Sequence, residues 1–434
     1  MNQLSLWKGC RLWRWLPFSL LTTAWLCSMS VQAADPSSSL TLEEASRRAL
    51  QTNPELQVFA WRADAIAGQR QKAALTPPME LGLEAENLHG EGEFSSTDSA
   101  ELTVSLSSVI EMGGKRRARV AVADSRLALS KTRRRVKALD LLGRVTRDFV
   151  VALSLQTKLA VAKDATELAE TALQLVTYRV NRGAAPLAEQ LRAESALTRA
   201  RLRQRALESK LSSQKVALAT LWRAEQADFT RIDGALFRFA EADQFDALFQ
   251  RAIGAPGILV YADEARLRDA QVALAQSRAE SDLRWSLGVR HFNGSDETAL
   301  TAGVSMPLFS GRRSRGDVRE ALAELEIVQR RREAALLSLR SRLFAAWQTY
   351  RDRVAAARQL RAEVLPSLNR ALEQTRAAYE KGRYSYVDWI SAQRELLDAR
   401  LAAIDAATDA LLNQALIEQL TAEPLAAAAT PAGK

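Results

Sequence analysis

Val104-Ser105-Leu106 runs on to Gly113-Gly114-Lys115-Arg116-Arg117, and about 200 residues later Val304-Ser305-Met306-Pro307 runs on to Gly311-Arg312-Arg313. The same order and spacing hold on either side of this pair. Upstream, Asn53-Pro54-Glu55-Leu56 answers to Ala255-Pro256-Gly257-Ile258. Downstream, Gly183 is followed by Leu187, Ala193, Leu197, Ala200, Arg201 and Leu202; Gly382 is followed by Val387, Ala392, Leu396, Ala399, Arg400 and Leu401. A repeat this long means that one structural unit has been duplicated. Each unit reads helix, strand, strand, long helix, sharp turn, return helix.

The segments before the glycines alternate with a period of two. Leu81 and Leu83 alternate with glutamates and Gly82, and Leu102, Val104 and Leu106 with Thr103, Ser105 and Ser107. In the second unit Trp285, Leu287 and Val289 alternate with Ser286, Gly288 and Arg290, and Leu300 and Val304 with Thr301, Gly303 and Ser305. Strands are expected near 79–88, 100–109, 283–292 and 298–306. One apolar and one polar face is what a wall between lipid and water needs, and about 9–11 residues suffice to cross a bilayer when tilted. Half-buried hairpins on a soluble core would alternate in the same way. Four strands cannot close a barrel, since small barrels need about eight, and open edges are not tolerated in lipid. If these strands span a membrane, several chains must share the wall.

Between the strands and the turns lie long stretches almost free of Gly and Pro, rich in Ala, Leu, Arg, Glu and Gln. From Lys115 to Arg182 only Gly143 weakens helix, so a continuous helix would reach about 100 Å. The matching stretch, Asp317 to Lys381, carries Pro366 as a break or bend; the return helices cover 187–222 and 383–421. Val122, Leu129, Val136 and Val150 fall on a seven-residue lattice, as do Leu322, Leu336 and Leu343, with Leu325 and Leu339 beside them. Such seams ask for a partner helix on a left-handed supercoil. One helix is expected over 41–75, capped by Thr41 with Glu44 completing a capping box and stopped by Pro77-Pro78.

Residues 1–33 read as an export signal: basic Lys8, Arg11 and Arg14, an apolar core from Trp15 to Met29, and Val31-Gln32-Ala33 before the cut. Its removal takes three of the 60 basic residues, leaving 57 against 51 acidic ones, and both cysteines, Cys10 and Cys27. No disulfide, thiolate metal site or cysteine nucleophile is then available. The basic runs Arg133-Arg134-Arg135 and Arg330-Arg331-Arg332 sit among acids on helices, which fits a solvated face and not nucleic-acid binding. His89 and His291 fall on or beside loops without metal-ligand spacing. Gly113-Gly114-Lys115 lacks the remaining residues of a phosphate-binding loop, and no serine elbow occurs. Neither enzyme chemistry nor a cofactor is expected.

The signal, the Asn-Pro motif, the Gly113-Gly114-Lys115-Arg116 bend, Met306-Pro307-Leu308-Phe309 with Gly311, and the glycine turns together resemble the TolC family of outer-membrane factors. The resemblance spans nearly the whole mature chain. It implies a fold that is mainly α with a small β part. Long antiparallel helical hairpins form a trimeric periplasmic α-barrel, continued by an outer-membrane β-barrel with four strands per chain. It further implies a passive exit duct in the lipid of the outer membrane. A periplasmic adaptor docks the duct, and an inner-membrane pump of the resistance-nodulation-division type feeds it. Val109-Ile110-Glu111-Met112 ahead of the bend is similar to the cobalt–zinc–cadmium branch, which implies export of heavy-metal cations.

Within that family the turns between long and return helices form the periplasmic tip and dock the adaptor. Here they are Gly183, Ala184 and Ala185, and Gly382, Arg383, Tyr384 and Ser385. The resemblance also implies a periplasmic gate from Glu189, Tyr379, Asp388 and Ser391. Three copies of Asp388 would repel one another and attract cations, whereas Ser391 stands where some members carry a second acid. The chain thus divides into the signal at 1–33, a first efflux repeat at 34–222, a connecting, equatorial segment around the helical barrel at 223–242, a second repeat at 243–421, and a disordered tail at 422–434. An adaptor or coiled-coil scaffold is the rival from another class, and a type I secretion or drug-efflux duct the rival within the family.

Overall fold

The computed structural model describes residues 39–425 except 95, 242 and 309; the expected signal and the expected tail from 426 onward lie outside the described residues. Two strands, β1 (Ser39–Leu40) and β4 (Arg231–Ile232), pair in parallel. The other four make one antiparallel sheet in the order β2 (Glu80–Glu86), β3 (Glu101–Ile110), β5 (Leu283–Phe292), β6 (Glu297–Ser305).

The region expected as one helix over 41–75 is two helices, α1 (Leu42–Thr52) and α2 (Pro54–Ala74). Proline drives the residue before it out of helical geometry, and Asn53 accordingly sits at ψ 124. Asn53 turns the break to use, its side-chain oxygen accepting from the Glu55 N–H at 2.9 Å. Thr41 caps α1 as expected, accepting from Glu44 N at 3.3 Å. The Glu44 carboxylate does not complete a box. It pairs with Arg47 and Arg48 instead, the latter at 2.6 Å.

After β3 the chain bends through Gly113 and Gly114, both left-handed at φ +66 and +69. A Cβ on Gly113 would lie 2.9 Å from the Ser277 carbonyl and closer still to Glu280. Lys115 then staples the bend. It is 9% exposed, and its Nζ donates to Asp282 Oδ1 at 2.7 Å and to the Glu280 carbonyl at 2.8 Å. The Gly-Gly-Lys run is a strand-to-helix joint.

Helix α3 (Lys115–Asn181) follows unbroken for 67 residues, about 100 Å, and α4 (Leu187–Thr220) returns along it. In the second repeat α5 (Phe245–Ile253) and α6 (Pro256–Ser277) precede the sheet. Helix α7 (Ser310–Gln359) passes through a π-helical turn at Leu360–Val364 into α8 (Leu365–Glu380), and α9 (Tyr386–Thr421) returns. Pro366 cannot donate to the ladder, and just before it the Leu365 N–H reaches back five residues to the Leu360 carbonyl, so the chain passes the proline as helix.

The largest core is a girdle around the middle of these helices. Ala45, Leu141, Phe149, Leu218, Leu248, Leu343, Tyr350 and Ile417 pack there. The segment at 223–242 enters it through Phe229, Ile232, Leu236 and Phe239. Tyr350 donates to the Ala240 carbonyl at 2.6 Å, and burial pushes its pKa up to about 12. Arg361, in the π turn, lies 4.5 Å over the Phe237 ring. Of the expected heptad positions, Val122, Leu129, Val150, Leu339 and Leu343 are buried, but Leu322 is 49% exposed.

Candidate functional site

The sheet turns its apolar side chains outward. Row by row, Leu83 pairs with Val104, Val104 with Val289 and Val289 with Leu300, while Leu81, Leu106 and Leu287 share the next row. Leu81 and Leu83 are 72% and 71% exposed, Leu300 82% and Val304 71%. Leu102, Val104, Leu106, Leu287 and Val289 are exposed as well, and Trp285 is half-buried.

Along β3 and β5 the polar face is the less exposed of the two, while Glu80, Glu84, Gly303 and Ser305 on the outer strands are open. Thr103 is 6% exposed and Gly288 is buried. On that face Arg290 donates to Glu101 at 2.8 Å and to Thr103 Oγ1 at 2.9 Å and pairs with Glu86 at 2.9 Å. Arg284 reaches Glu80 at 3.2 Å. This inverts the arrangement of a soluble half-buried sheet, in which the apolar face is the covered one. Strands β2 and β6 are the sheet's outer edges. Among the described residues no helix is long and apolar enough to cross a membrane.

At the far end of the long helices lie the two turns. Gly183 and Gly382 adopt φ +69 and +73. In the first turn the N–H of Ala184 donates to the Arg179 carbonyl at 2.8 Å, and in the second that of Arg383 donates to the Ala378 carbonyl at 2.9 Å. Both bonds close a helix end by the Schellman pattern, which needs a left-handed residue just past the end. Gly183 and Ala184 are exposed and Ala185 is half-buried; Gly382, Arg383, Tyr384 and Ser385 are all exposed. Apolar Leu187, Leu191 and Val387 stand open beside them, at 60%, 56% and 51%.

Just inside the turns the structure joins the two repeats. Tyr379 is 1% exposed and stacks on Trp389 at 5.1 Å, with Tyr386 at 6.2 Å. Its hydroxyl donates to Glu189 Oε2 at 3.1 Å. Burial, reinforced by that carboxylate, pushes the Tyr379 pKa up to about 12, so the phenol keeps its proton. The Arg179 guanidinium lies 4.4 Å from the same ring and donates to the Tyr379 carbonyl.

Asp388 works within its own hairpin. Its Oδ2 accepts from the Ser385 hydroxyl at 2.7 Å and the Ser385 N–H at 3.0 Å, and Ser385 Oγ accepts from the Asp388 N–H. This is a capping box opening α9, and the Ser385 bonds hold the Asp388 carboxyl below its ordinary value. Tyr379 and Glu189 are thus brought together, whereas Asp388 engages Ser385, and Ser391 is exposed one turn along. Arg179, Tyr386 and Trp389 are partners that the sequence reading missed. The available signal was three aromatic side chains, Tyr379, Tyr386 and Trp389, gathered around one glycine turn.

Among the described residues no cluster of His, Cys, Asp and Glu could hold a metal ion, and His291 lies in β5 beside Asp296 at 3.7 Å.

The sequence profile described as outer membrane efflux protein matches residues 45–222 and 272–423. The cobalt-zinc-cadmium resistance protein CzcC of Cupriavidus metallidurans is 26% identical over 370 residues, covering 85% of this chain and 86% of that protein. The nickel-cobalt-cadmium resistance protein NccC of Alcaligenes xylosoxydans xylosoxydans is 26% identical over 324 residues, covering 73% and 72%. The solved structure of the outer-membrane channel OprN superposes with a TM-score of 0.74 at 18% identity, covering 90% of this chain and 91% of that one.

Proposed function

We infer that three copies of this chain close one continuous duct, and the premise is its family: the chain belongs to the outer membrane efflux protein family and is an outer-membrane efflux channel with a large periplasmic part. The observation that carries the trimer is the inverted sheet. Its exposed leucines and valines need acyl chains against them, and its two edge strands need partners that a single chain does not contain. A head-to-tail ring supplies both, with β6 of one copy pairing with β2 of the next; such a contact closes when the rotation closes. The polar face, lined by glutamates, serines and threonines, then becomes the wet lumen.

The helices continue that lumen across the periplasm as a passive conduit without enzyme chemistry. A periplasmic adaptor docks at the exposed turns Gly183–Ala185 and Gly382–Ser385, where open backbone and the apolar side chains of Leu187, Leu191 and Val387 offer it a surface. The gate is the joint just above. The Tyr379–Glu189 hydrogen bond and the Arg179 contact hold the second hairpin to the first, and opening requires breaking them. Three Asp388 carboxylates at the narrow end, kept ionised by their Ser385 bonds, would favour cations.

For cargo we propose heavy-metal cations, delivered by an inner-membrane pump of the resistance-nodulation-division type. The two relatives CzcC and NccC, named for resistance to cobalt, zinc and cadmium and to nickel, cobalt and cadmium, support that choice. Two experiments test the proposal. Protein purified in detergent should run as a trimer and conduct in planar bilayers; a monomer without conductance would refute the duct. A deletion strain should lose resistance to cobalt, zinc or cadmium and keep its tolerance of organic drugs; the opposite pattern would refute the cargo.

A further inference from the structure

The outward face of the sheet runs on past the strands. Beyond β3 it continues through Ile110 to Met112, and beyond β6 through Met306 to Leu308, all four exposed. Four residues after the last of these, in both repeats, stands an exposed arginine: Arg116 after Met112, and Arg312 after Leu308. Arg117 and Arg315, also exposed, follow within the first two turns of α3 and α7. Trp285 lies near the same end of the sheet, in the row of Ser108 and Val304. Aromatic side chains on the outer face of a barrel mark the level where acyl chains give way to headgroups. Apolar, aromatic and basic side chains thus succeed one another toward the helices.

The two ends of the sheet carry opposite charge. At the hairpin end, residues 84–101 and 290–297 hold eight acids against one arginine, Arg290. At the helix end, residues 111–119, 278–284 and 310–319 hold ten lysines and arginines against four acids. Two of those four acids are engaged within the joint, Asp282 with Lys115 at 2.7 Å and Glu111 with Arg119. The whole chain has 60 basic and 51 acidic residues, so composition accounts for neither end.

We propose that Arg116, Arg117, Arg312 and Arg315 form a basic collar that binds anionic phospholipid headgroups in the leaflet facing the periplasm. Position decides the occupant. Where the outward face meets acyl chains, the headgroups of the same lipids lie at its end, and the helix end is the periplasmic one. Guanidinium groups pair with phosphate oxygens through two parallel bonds, and anionic headgroups attract basic clusters at the edge of a membrane-spanning segment. The first two turns of a helix rise only about 11 Å, close to the roughly 8 Å over which a charge acts at physiological salt. The collar holds the Gly113-Gly114-Lys115 joint at the headgroup plane and so sets the depth of the sheet. It rests on the membrane reading of the sheet proposed above.

Electron spin resonance of the full-length channel in phosphatidylcholine liposomes tests the collar. Trace phosphatidylglycerol or phosphatidylcholine, spin-labelled on the acyl chain, reports the fraction of lipid held at the protein. The phosphatidylglycerol label should associate about fivefold more strongly than the phosphatidylcholine label, and about 1 M potassium chloride should remove the difference. Inorganic phosphate should lower it no more than chloride of equal ionic strength. Replacing all four residues (Arg116→Gln, Arg117→Gln, Arg312→Gln, Arg315→Gln) should abolish the preference and leave the phosphatidylcholine fraction as in wild type, which shows that the variant is inserted. Arg331→Gln with Arg332→Gln, about 30 Å further along α7, should keep the preference. Equal association of the two labels with the wild type would overturn the collar, as would a preference that survives the fourfold change, vanishes equally with Arg331 and Arg332, or yields to phosphate alone. Restriction of neither label would refute the membrane reading of the sheet, and the collar with it.

Discussion

Leu300 on β6 is 82% exposed, and Leu343, about nine helical turns into the following helix, is fully buried. The two sit in regions built on opposite rules. The sheet shows leucine and valine to the outside and covers Thr103 and Gly288 on its other face, while the girdle closes Leu141, Leu343, Tyr350 and Ile417 away from every surface. Water alone would select the second arrangement and punish the first, since burying apolar surface is the main favourable term in folding. A chain that carries both has been shaped by two solvents. The boundary between them falls at the Gly113-Gly114-Lys115 joint, where the strand is turned and stapled before the helix begins.

The comparison can be broken most forcefully in the girdle. Leu343→Ala should cost about 2–5 kcal/mol, because the cavity it leaves is walled by other elements. The thermal midpoint in detergent would show this as a clear drop. Leu300→Ala, where no protein atom packs closely, should leave that midpoint unchanged, and a comparable drop there would mean the sheet face is buried in protein.

A charge on the sheet sharpens the contrast. Leu300→Arg should cost about 2–4 kcal/mol of membrane insertion if the position lies near the bilayer midplane, read as a reduced inserted fraction in liposomes. Thr301→Arg, on the opposite face, should insert nearly as well as wild type.

The tip has a conventional core of its own, held more weakly. Tyr379→Phe removes only the hydroxyl that Glu189 accepts, a change of about 1–2 kcal/mol. The ring stack with Trp389 stays, so the expected readout is longer open time in single-channel records with an unchanged thermal midpoint. Glu189→Gln should have a milder effect of the same sign.

The smallest effect belongs to Asp388. Its folded-state pKa lies below the ordinary value, so its contribution is present above the unfolded pKa and lost as pH falls through the folded one. The thermal midpoint should therefore hold at neutral pH and fall only in acid, and Asp388→Asn should flatten that acid limb. In the same variant, an unchanged cation preference in planar bilayers would remove Asp388 from the gate.

What the sequence revealed follows from the range of each signal. The alternation of Leu102, Val104 and Leu106 with Thr103 and Ser105 is local, and β3 sits where that period runs. The Gly- and Pro-free run from Lys115 became α3 in one piece. Gly183 and Gly382 were readable as turns because a left-handed residue past a helix end is a single-site requirement. Pairings across the repeats were not readable. Arg179 reaches Tyr379, and Tyr379 reaches Glu189, over roughly the length of one repeat, and no local pattern announces a contact at that separation. Asp388 illustrates the converse. Ser385 three residues before it was a capping box in plain sight, passed over because the acid was read for what it would do at a pore. The segment after Trp222 has neither period, so the side chains it packs into the girdle, Phe229, Ile232, Leu236 and Phe239, came only with the fold.

The account stands on the outward face of the sheet meeting acyl chains, and lipid-borne quenching reads that contact directly. With Trp285→Phe as background, tryptophan is placed by Leu300→Trp in one protein and by Thr301→Trp in another, each is reconstituted in lipid brominated along its chains, and the emission of the background protein, which keeps Trp61, Trp222, Trp347 and Trp389, is subtracted. The account predicts strong quenching of the tryptophan at 300 and little at 301. Equal quenching at both positions, or none at 300, would contradict it.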